Sequence, residues 1–571
     1  MIALFVYLAP LIGILALYCS ARRLDALTDE PAGDASLQSR HHDLGERRRA
    51  PSRSAQGAAA IAASACFVSL LLFLGAVPAF AFAIGTACAV AASHRAAVIS
   101  AGAAVRMAEA RRVASDGREM RIGALAASAV TASSLGVAML SLGVMHWFFA
   151  HPSDSIVLAS FALGPLLFVL VHALAAAPAA ADSARDSAAT LVDTTFAGHC
   201  TAIVAAVLLA GMSGANELYM LGDGRVETLV VQAQLMGYPL VVALIAGLVS
   251  LATSDRPRAA HGDRVRRRGG IAMAAFLLAS FLLTAGSDLS HGIWLALLAG
   301  CAAGLCLETF GRGQGRADAS MTATDAALPL VVMAATLVLA YATADAYGTA
   351  IAGLGAAVTS AGLRSGGLVA AMSADAAVIA GPGDESAKDS PRRVGSGAEV
   401  SRSERARGLT AAAMNFVASV ATGFALFLGY HDSVDLLRAR HGLGPMRILL
   451  DDPRVLIGMM AGSAVAATIA VRMLRGDVAI SGNVSPLAVS VAAAPALVGL
   501  MFGPQVLGGV LAGLLVSATL LSALIGAGAG RQRGSFAPAV AVDGGQAVAG
   551  LNVLMKWMSI VALVISPLLV R

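Results

Sequence analysis

The stretch "GLNVLMKWMSIVALVISPLL", residues 550–569, is apolar apart from Asn552, Ser559 and Ser566, and it carries one charged residue, Lys556. As a helix it rises about 30 Å, the thickness of a bilayer's hydrocarbon core. It has none of the polar–apolar alternation of a membrane β-strand. The lysine needs a reason, because an ammonium inside hydrocarbon costs about 2.5 kcal/mol or more unless it reaches water. Lys556 lies close to the expected cytoplasmic start of the run, so two readings stay open: it snorkels to the surface or is satisfied by the backbone, or it lines a polar pore.

Working outward, apolar runs of about 18 to 25 residues recur along almost the whole chain. Of its 571 residues 57% are hydrophobic and 13% charged, and the mean hydropathy is +0.76, which excludes an ordinary soluble domain. The expected fold class is an all-α polytopic membrane protein, with residues 1–571 as a single integral membrane domain. The runs predict about sixteen transmembrane helices, near 2–19, 57–76, 79–100, 121–149, 155–177, 195–212, 228–252, 271–286, 290–309, 327–343, 347–363, 409–430, 454–472, 485–503, 506–529 and 551–570. The first lacks a basic start and a small-residue cleavage site and reads as a retained helix. Cys19, Cys66, Cys88, Cys200, Cys301 and Cys306 have no paired spacing of the zinc or redox kind and read as small apolar fillers.

Arginine placement orients the chain. Alternate connections, beginning with 20–56, hold 30 of the 40 Lys and Arg residues. Positive loops stay cytoplasmic, so both termini are expected outside, in a multi-pass protein of the bacterial inner (plasma) membrane. The net charge of +5 is then a topology signal, and no nucleic-acid partner is implied. Residues 20–56 read as a flexible cytoplasmic loop, and 364–408 as a cytoplasmic loop with an apparent insertion at 383–408. The "HHD" at 41–43 reads as a solvated stretch, since no third metal ligand stands near it.

In its motifs the chain resembles the membrane-integral pyrophosphatases, proton or sodium pumps of about sixteen helices energised by pyrophosphate. Residues 550–569 are similar to that family's last helix, with its A-L-N-x-L-x-K-x-M pattern. Further resemblances are "DAYG" (345–348) with Gly355 and "AGL" (361–363), "YPLVVALIAGLVSLA" (238–252), "DPRVLIGMMAG" (452–462), "LGGVLAGLLVSATLLSAL" (507–524) and "MRIGALAASAV" (120–130). They follow the family's order from about residue 120 to the end. The resemblance implies a homodimer and a cytoplasmic funnel in which carboxylates hold magnesium ions, lysines neutralise pyrophosphate, and carboxylates position the attacking water.

Matched residue by residue, most of that site is missing. The family's K-A-A-D-x-x-x-D resembles residues 179–186, which keep Asp182 and Asp186 but have Ala179 for the lysine. Its preceding arginine and glycines fall on Val171, Ala173, Leu174 and Ala175. Its next three aspartates fall on Asp193, Ala197 and Thr201 in "DTTFAGHCT" (193–201). Over 345–359 its Asp, Asn and Glu fall on Ala352, Gly353 and Thr359. "ADAAVIAGP" (374–382) keeps Asp375 but has Val378 for a second acid. "GAGRQRGSF" (528–536) holds neither the aspartate nor the lysines of its counterpart, and Asp543 in "VAVDGGQ" (540–546) is out of register. Lys556 matches the family's gate lysine, whose acidic partners fall on Leu208 and Gly545. Only two lysines exist, Lys388 and Lys556.

Each lost preorganised contact removes about 2–4 kcal/mol of transition-state stabilisation. The expectation is therefore a family member that does not hydrolyse pyrophosphate, with no assigned catalytic residue. Asp182, Asp186 and Asp193 remain as solvated acids at a helix end, as a residual Mg²⁺ site, or as part of a working site, and Lys556 remains as the ion-path residue. The alternatives are an active pyrophosphate-energised pump whose acids, such as Asp375, Asp384, Glu385 and Asp543, converge with Asp182, Asp186 and Asp193; a non-hydrolytic carrier or leak path around Lys556; and a scaffold subunit. Four-residue spacing of small residues, as in "GGVLAG" (508–513), reads as helix packing.

Overall fold

A computed structural model describes residues 2–29, 57, 59–112, 116–149, 155–175, 196–211, 225–254, 262–287, 289–314, 323–380, 393–444, 446, 452–475, 484–531 and 538–570. Among them stand fifteen helices and no strand. In chain order these are α1 (Ile2–Thr28), α2 (Ala59–Leu74), α3 (Ala76–Arg112), α4 (Asp116–Phe148), α5 (Ser155–Ala175), α6 (Phe196–Gly211), α7 (Arg225–Ser254) and α8 (Gly262–Ala285). Then come α9 (His291–Gln314), α10 (Ala323–Ala380), α11 (Arg393–Arg440), α12 (Pro453–Arg475), α13 (Val484–Phe502), α14 (Pro504–Arg531) and α15 (Pro538–Leu569). Helix α10 breaks at Ala344 (φ −156°, ψ 33°) and Asp345 (φ 50°, ψ −146°), between the two runs expected at 327–343 and 347–363. Each expected run therefore overlaps its own helical segment.

Among the described residues six helical spans are long and apolar enough to cross a membrane: α3 and parts of α4, α10, α12, α14 and α15. Leu72, Phe73, Phe148, Val338, Met460 and Met501 are exposed on the outside of the bundle. Apolar surface on this scale suits lipid and not water. Helix α15 is the opposite case: every residue from 550 to 566 is buried. A helix apolar all round belongs at the centre of an assembly, and α15 is packed by α5, α11, α12, α13 and α14.

The connection expected over 364–408 is shorter than the sequence reading gave. Helix α10 runs on to Ala380 and α11 begins at Arg393. Pro382 and Pro391 bracket the gap, and a helix ends before a proline or starts after one. The loop expected from residue 20 likewise starts later, because α1 continues to Thr28, where Ser20 Oγ donates to the Ala129 carbonyl at 2.8 Å. One end of the bundle is closed by a buried cluster of Leu27 from α1, Met107 from α3, Ile122 from α4 and Met372 from α10. The connections after α1, α3 and α10 thus leave from the same end.

Backbones approach closely where glycines allow it. A Cβ on Gly458 or Gly462 of α12 would strike the carbonyls of Val506 and Val510, and one on Gly509 or Gly513 of α14 those of Val455 and Met459. Two facing small-xxx-small stripes thereby pack α12 parallel to α14, and Ser517 Oγ donates to Ser463 Oγ at 2.8 Å across the seam. Where α11 ends, beyond the 409–430 run, His431 Nε2 lies 3.0 Å from the Met446 carbonyl and Nδ1 lies 3.6 Å from Asp432 and 3.7 Å from Asp435. Asp435 also accepts from the Met446 amide. The Asp432 side chain, more than any other group, raises the His431 pKa above its ordinary value.

Two predictions come from this packing. Gly513→Ala should cost about 1–3 kcal/mol by overpacking, read as a lower melting temperature in detergent. Gly423→Ala, whose Cβ would meet Leu515 at 3.6 Å and Met555 at 3.8 Å in ordinary contact, should be tolerated; the reverse order would refute the seam. A raised folded-state pKa means that the His431 contribution is full below the unfolded value of about 6.5 and is lost as pH rises through the folded value. Hydrogen exchange at the Met446 amide, corrected for its intrinsic rate, should therefore show freer opening at alkaline pH than at mildly acidic pH. His431→Gln should abolish that dependence.

Candidate functional site

Lys556 is the sharpest of the expected site residues and lies in the middle of the buried span of α15, 2% exposed. It does not snorkel to the outside of the bundle. Asn552, one turn before it, and Ser559, one turn after, lie on the same helical face and are also buried. The centre of this bundle thus carries a polar stripe, while Trp557 and Met558 beside it fill apolar space.

Three helices meet at the level of Lys556. Gly423 of α11 would bring a Cβ to 3.6 Å from Leu515 of α14 and 3.8 Å from Met555 of α15, and Thr519 Oγ1 of α14 lies 4.0 Å from Met555 Sδ. Helices α11 and α15 run parallel, as three pairings at nearly constant offset require: Gly423 with Met555, Gly429 with Leu563, and Ser433 Oγ 2.8 Å from Ser566 Oγ. Helix α14 runs against them, since Leu515 faces Gly423 while the Pro504 carbonyl, 11 residues earlier, accepts from Tyr430.

Of the positions at which the resemblance puts acids, Ala197, Thr201, Leu208, Ala352 and Thr359 are buried, and so is Val171, matched to the arginine and glycines that precede them. Thr201 and Thr359 turn their hydroxyls back onto the carbonyls of Ala197 and Gly355 in their own helices, the ordinary habit of a threonine in an apolar helix. Gly353 has no space for a side chain: a Cβ there would stand 2.7 Å from Thr422 Oγ1 and 3.1 Å from the Thr422 amide nitrogen. Ala352 lies against Gly300, whose missing side chain lets the Ala352 carbonyl come close.

Asp182, Asp186 and Asp193, with Lys388, Asp384 and Glu385, lie outside the described residues. Asp375 and Asp543 fall on the helical backbones of α10 and α15. Among the described residues no three His, Cys, Asp or Glu side chains come together so as to hold a metal ion. Among the counterparts of the family's acids whose side chains are described, Ala197, Thr201, Leu208, Ala352 and Thr359 supply no carboxylate, the ligand on which the implied magnesium site depends.

Sequence reading singled out neither Ser419 of α11 nor Ser522 of α14, both of them buried. As isolated serines in alanine-rich runs they carry no signal. Compared with known proteins, the chain matches no family model and no curated protein.

Proposed function

We propose that this chain is a divergent relative of the membrane-integral pyrophosphatases that does not hydrolyse pyrophosphate. In this reading sixteen helical segments cross the bacterial inner membrane, both termini lie outside, and two copies form a homodimer. The ordered series of motifs from residue 120 onward supports the kinship. One observation carries the loss of activity: Ala352, Gly353 and Thr359 are closed into the packing of α9, α10 and α11, and the wall at Gly353 stands 2.7 Å from where even a Cβ would be. The asparagine that the resemblance expects at Gly353 would displace Thr422. Asp182, Asp186 and Asp193 then act at most as a weak magnesium-binding remnant.

The enclosed position of Lys556 favours a second reading, a non-hydrolytic ion path through the polar stripe of α15. The two readings are compatible, since one concerns chemistry and the other permeation.

The purified protein in liposomes with Mg²⁺, with and without K⁺ and Na⁺, should release no more phosphate from pyrophosphate than an Asp186→Ala control. Release that disappears in the control would overturn the proposal and make the chain a pump with a rebuilt site. For the ion path, liposomes carrying the protein should dissipate a proton or sodium gradient faster than empty ones, and Lys556→Met should remove the difference. Vesicles as tight as empty ones would reject it.

A further inference from the structure

Helix α1 carries an apolar stripe that ends in an arginine. Leu11, Ile14, Leu15 and Tyr18 are 46% to 57% exposed, and Arg22 is exposed beyond them. At spacings of three and four residues these five share one face of the helix. That face points away from the bundle, because α4 holds the opposite side: Gly13 meets Leu140, Leu17 meets Gly136, and Ser20 Oγ donates to the Ala129 carbonyl. The Arg22 guanidinium lies 5.6 Å from the centre of the Tyr18 ring, a cation–π contact. Among the described residues no carboxylate pairs with it.

A second helix marks the same level. On α3 the exposed positions Val77, Phe80, Ile84, Val90, His94 and Val98 form an outward stripe. From Val77 to Val98 the helix rises about 31 Å, the thickness of the hydrocarbon core. From Ile99 to Arg111 no residue of α3 is exposed. Arg111 Nε donates to Glu119 at 2.8 Å across the α3–α4 hairpin, so Val98, thirteen residues before Arg111, stands near Ala132, thirteen after Glu119. On α1 the level of Ala132 falls between Leu17, which meets Gly136, and Ser20, which meets Ala129. The outward stripe of α3 thus ends where Tyr18 stands on α1.

We infer that Arg22 and Tyr18 bind the phosphate of a membrane phospholipid whose acyl chain lies along Leu15, Ile14 and Leu11. Charge and depth together choose this occupant. A guanidinium holds a phosphate through paired N–H donors, and tyrosine gathers where headgroups begin. From Leu11 to Arg22 the helix rises about 16 Å, close to the depth of one leaflet. A free phosphate would use Arg22 and leave the apolar stripe bare. The end of α1, with exposed Asp25 and Asp29, and the buried cluster of Leu27, Met107, Ile122 and Met372 then stand beyond the hydrocarbon. With both termini outside, the leaflet is the cytoplasmic one. The contact itself depends neither on that orientation nor on pyrophosphate chemistry or permeation.

Photoreactive phosphatidylglycerol in liposomes tests this on the intact protein. One probe carries a diazirine on its headgroup and a second carries it at the end of an acyl chain, and peptide mass spectrometry locates the adducts. The headgroup probe should mark Tyr18 to Asp25 on α1 and His94 to Val98 on α3, and the chain-end probe Leu11 to Leu15. Arg22→Gln should cut headgroup labelling of α1 several-fold, with chain-end labelling of α1 and headgroup labelling of α3 unchanged. Arg22→Lys, which keeps the charge, should restore most of it. Headgroup labelling as strong at Leu11 to Leu15 as at Tyr18 to Asp25, or undiminished by Arg22→Gln, would overturn the inference. So would full competition by excess glycerol phosphate, since a free phosphate would then be the ligand.

Discussion

The fold depends on how closely its helices approach one another. Within lipid, apolar side chains gain little by leaving one hydrocarbon environment for another, so association relies on contact and on backbone groups brought near each other. Glycines supply that approach at the α12–α14 seam. They do so again where Gly85 of α3 and Gly164 of α5 face the partner backbone, and where Gly292 and Gly300 of α9 face Thr343 and Ala352 of α10. At each of these positions the carbonyl of the neighbour occupies the space a Cβ would need. The helices are thereby fixed in register, and register is what any site between them inherits.

Register places the chemistry at the centre. The offset between α11 and α15 puts Gly423 at the level of Lys556 and Ser433 against Ser566. The opposed run of α14 brings the Thr519 hydroxyl to 4.0 Å from Met555 Sδ. The same tightness limits the site elsewhere. At Gly353 the packing leaves no room for a side chain. The close approach there, between α9, α10 and α11, leaves no volume for the asparagine that the resemblance expects, and Thr359, where it expects an acid, turns its hydroxyl to its own helix.

Much of the architecture was legible in the sequence. Hydropathy located the helical segments, because every backbone polar group in hydrocarbon must be satisfied within its own helix. The break in α10 stands at Ala344 and Asp345, between the two runs that had been separated there. What the sequence misjudged were the ends. Mixed-charge segments at 20–28, 364–380 and 393–408 read as loops, yet they continue as helix until a proline or the next break stops them. Charge and Gly/Ser content argue for solvent, but solvent exposure does not forbid a helix.

The sequence by itself determined that the chain is helical and apolar, where its helices lie, and that a single lysine stands in its last one. These are local properties, written in hydropathy and spacing. Only the tertiary structure decided that Lys556 is enclosed and not snorkelling, that Gly353 has no space for a side chain, and that Gly423, Leu515 and Met555 meet. Those three residues are separated by 40 to 132 positions, and each alone is an ordinary residue of an apolar run. Their meeting follows from the direction and offset of three helices, which close glycine contacts set and no local pattern records.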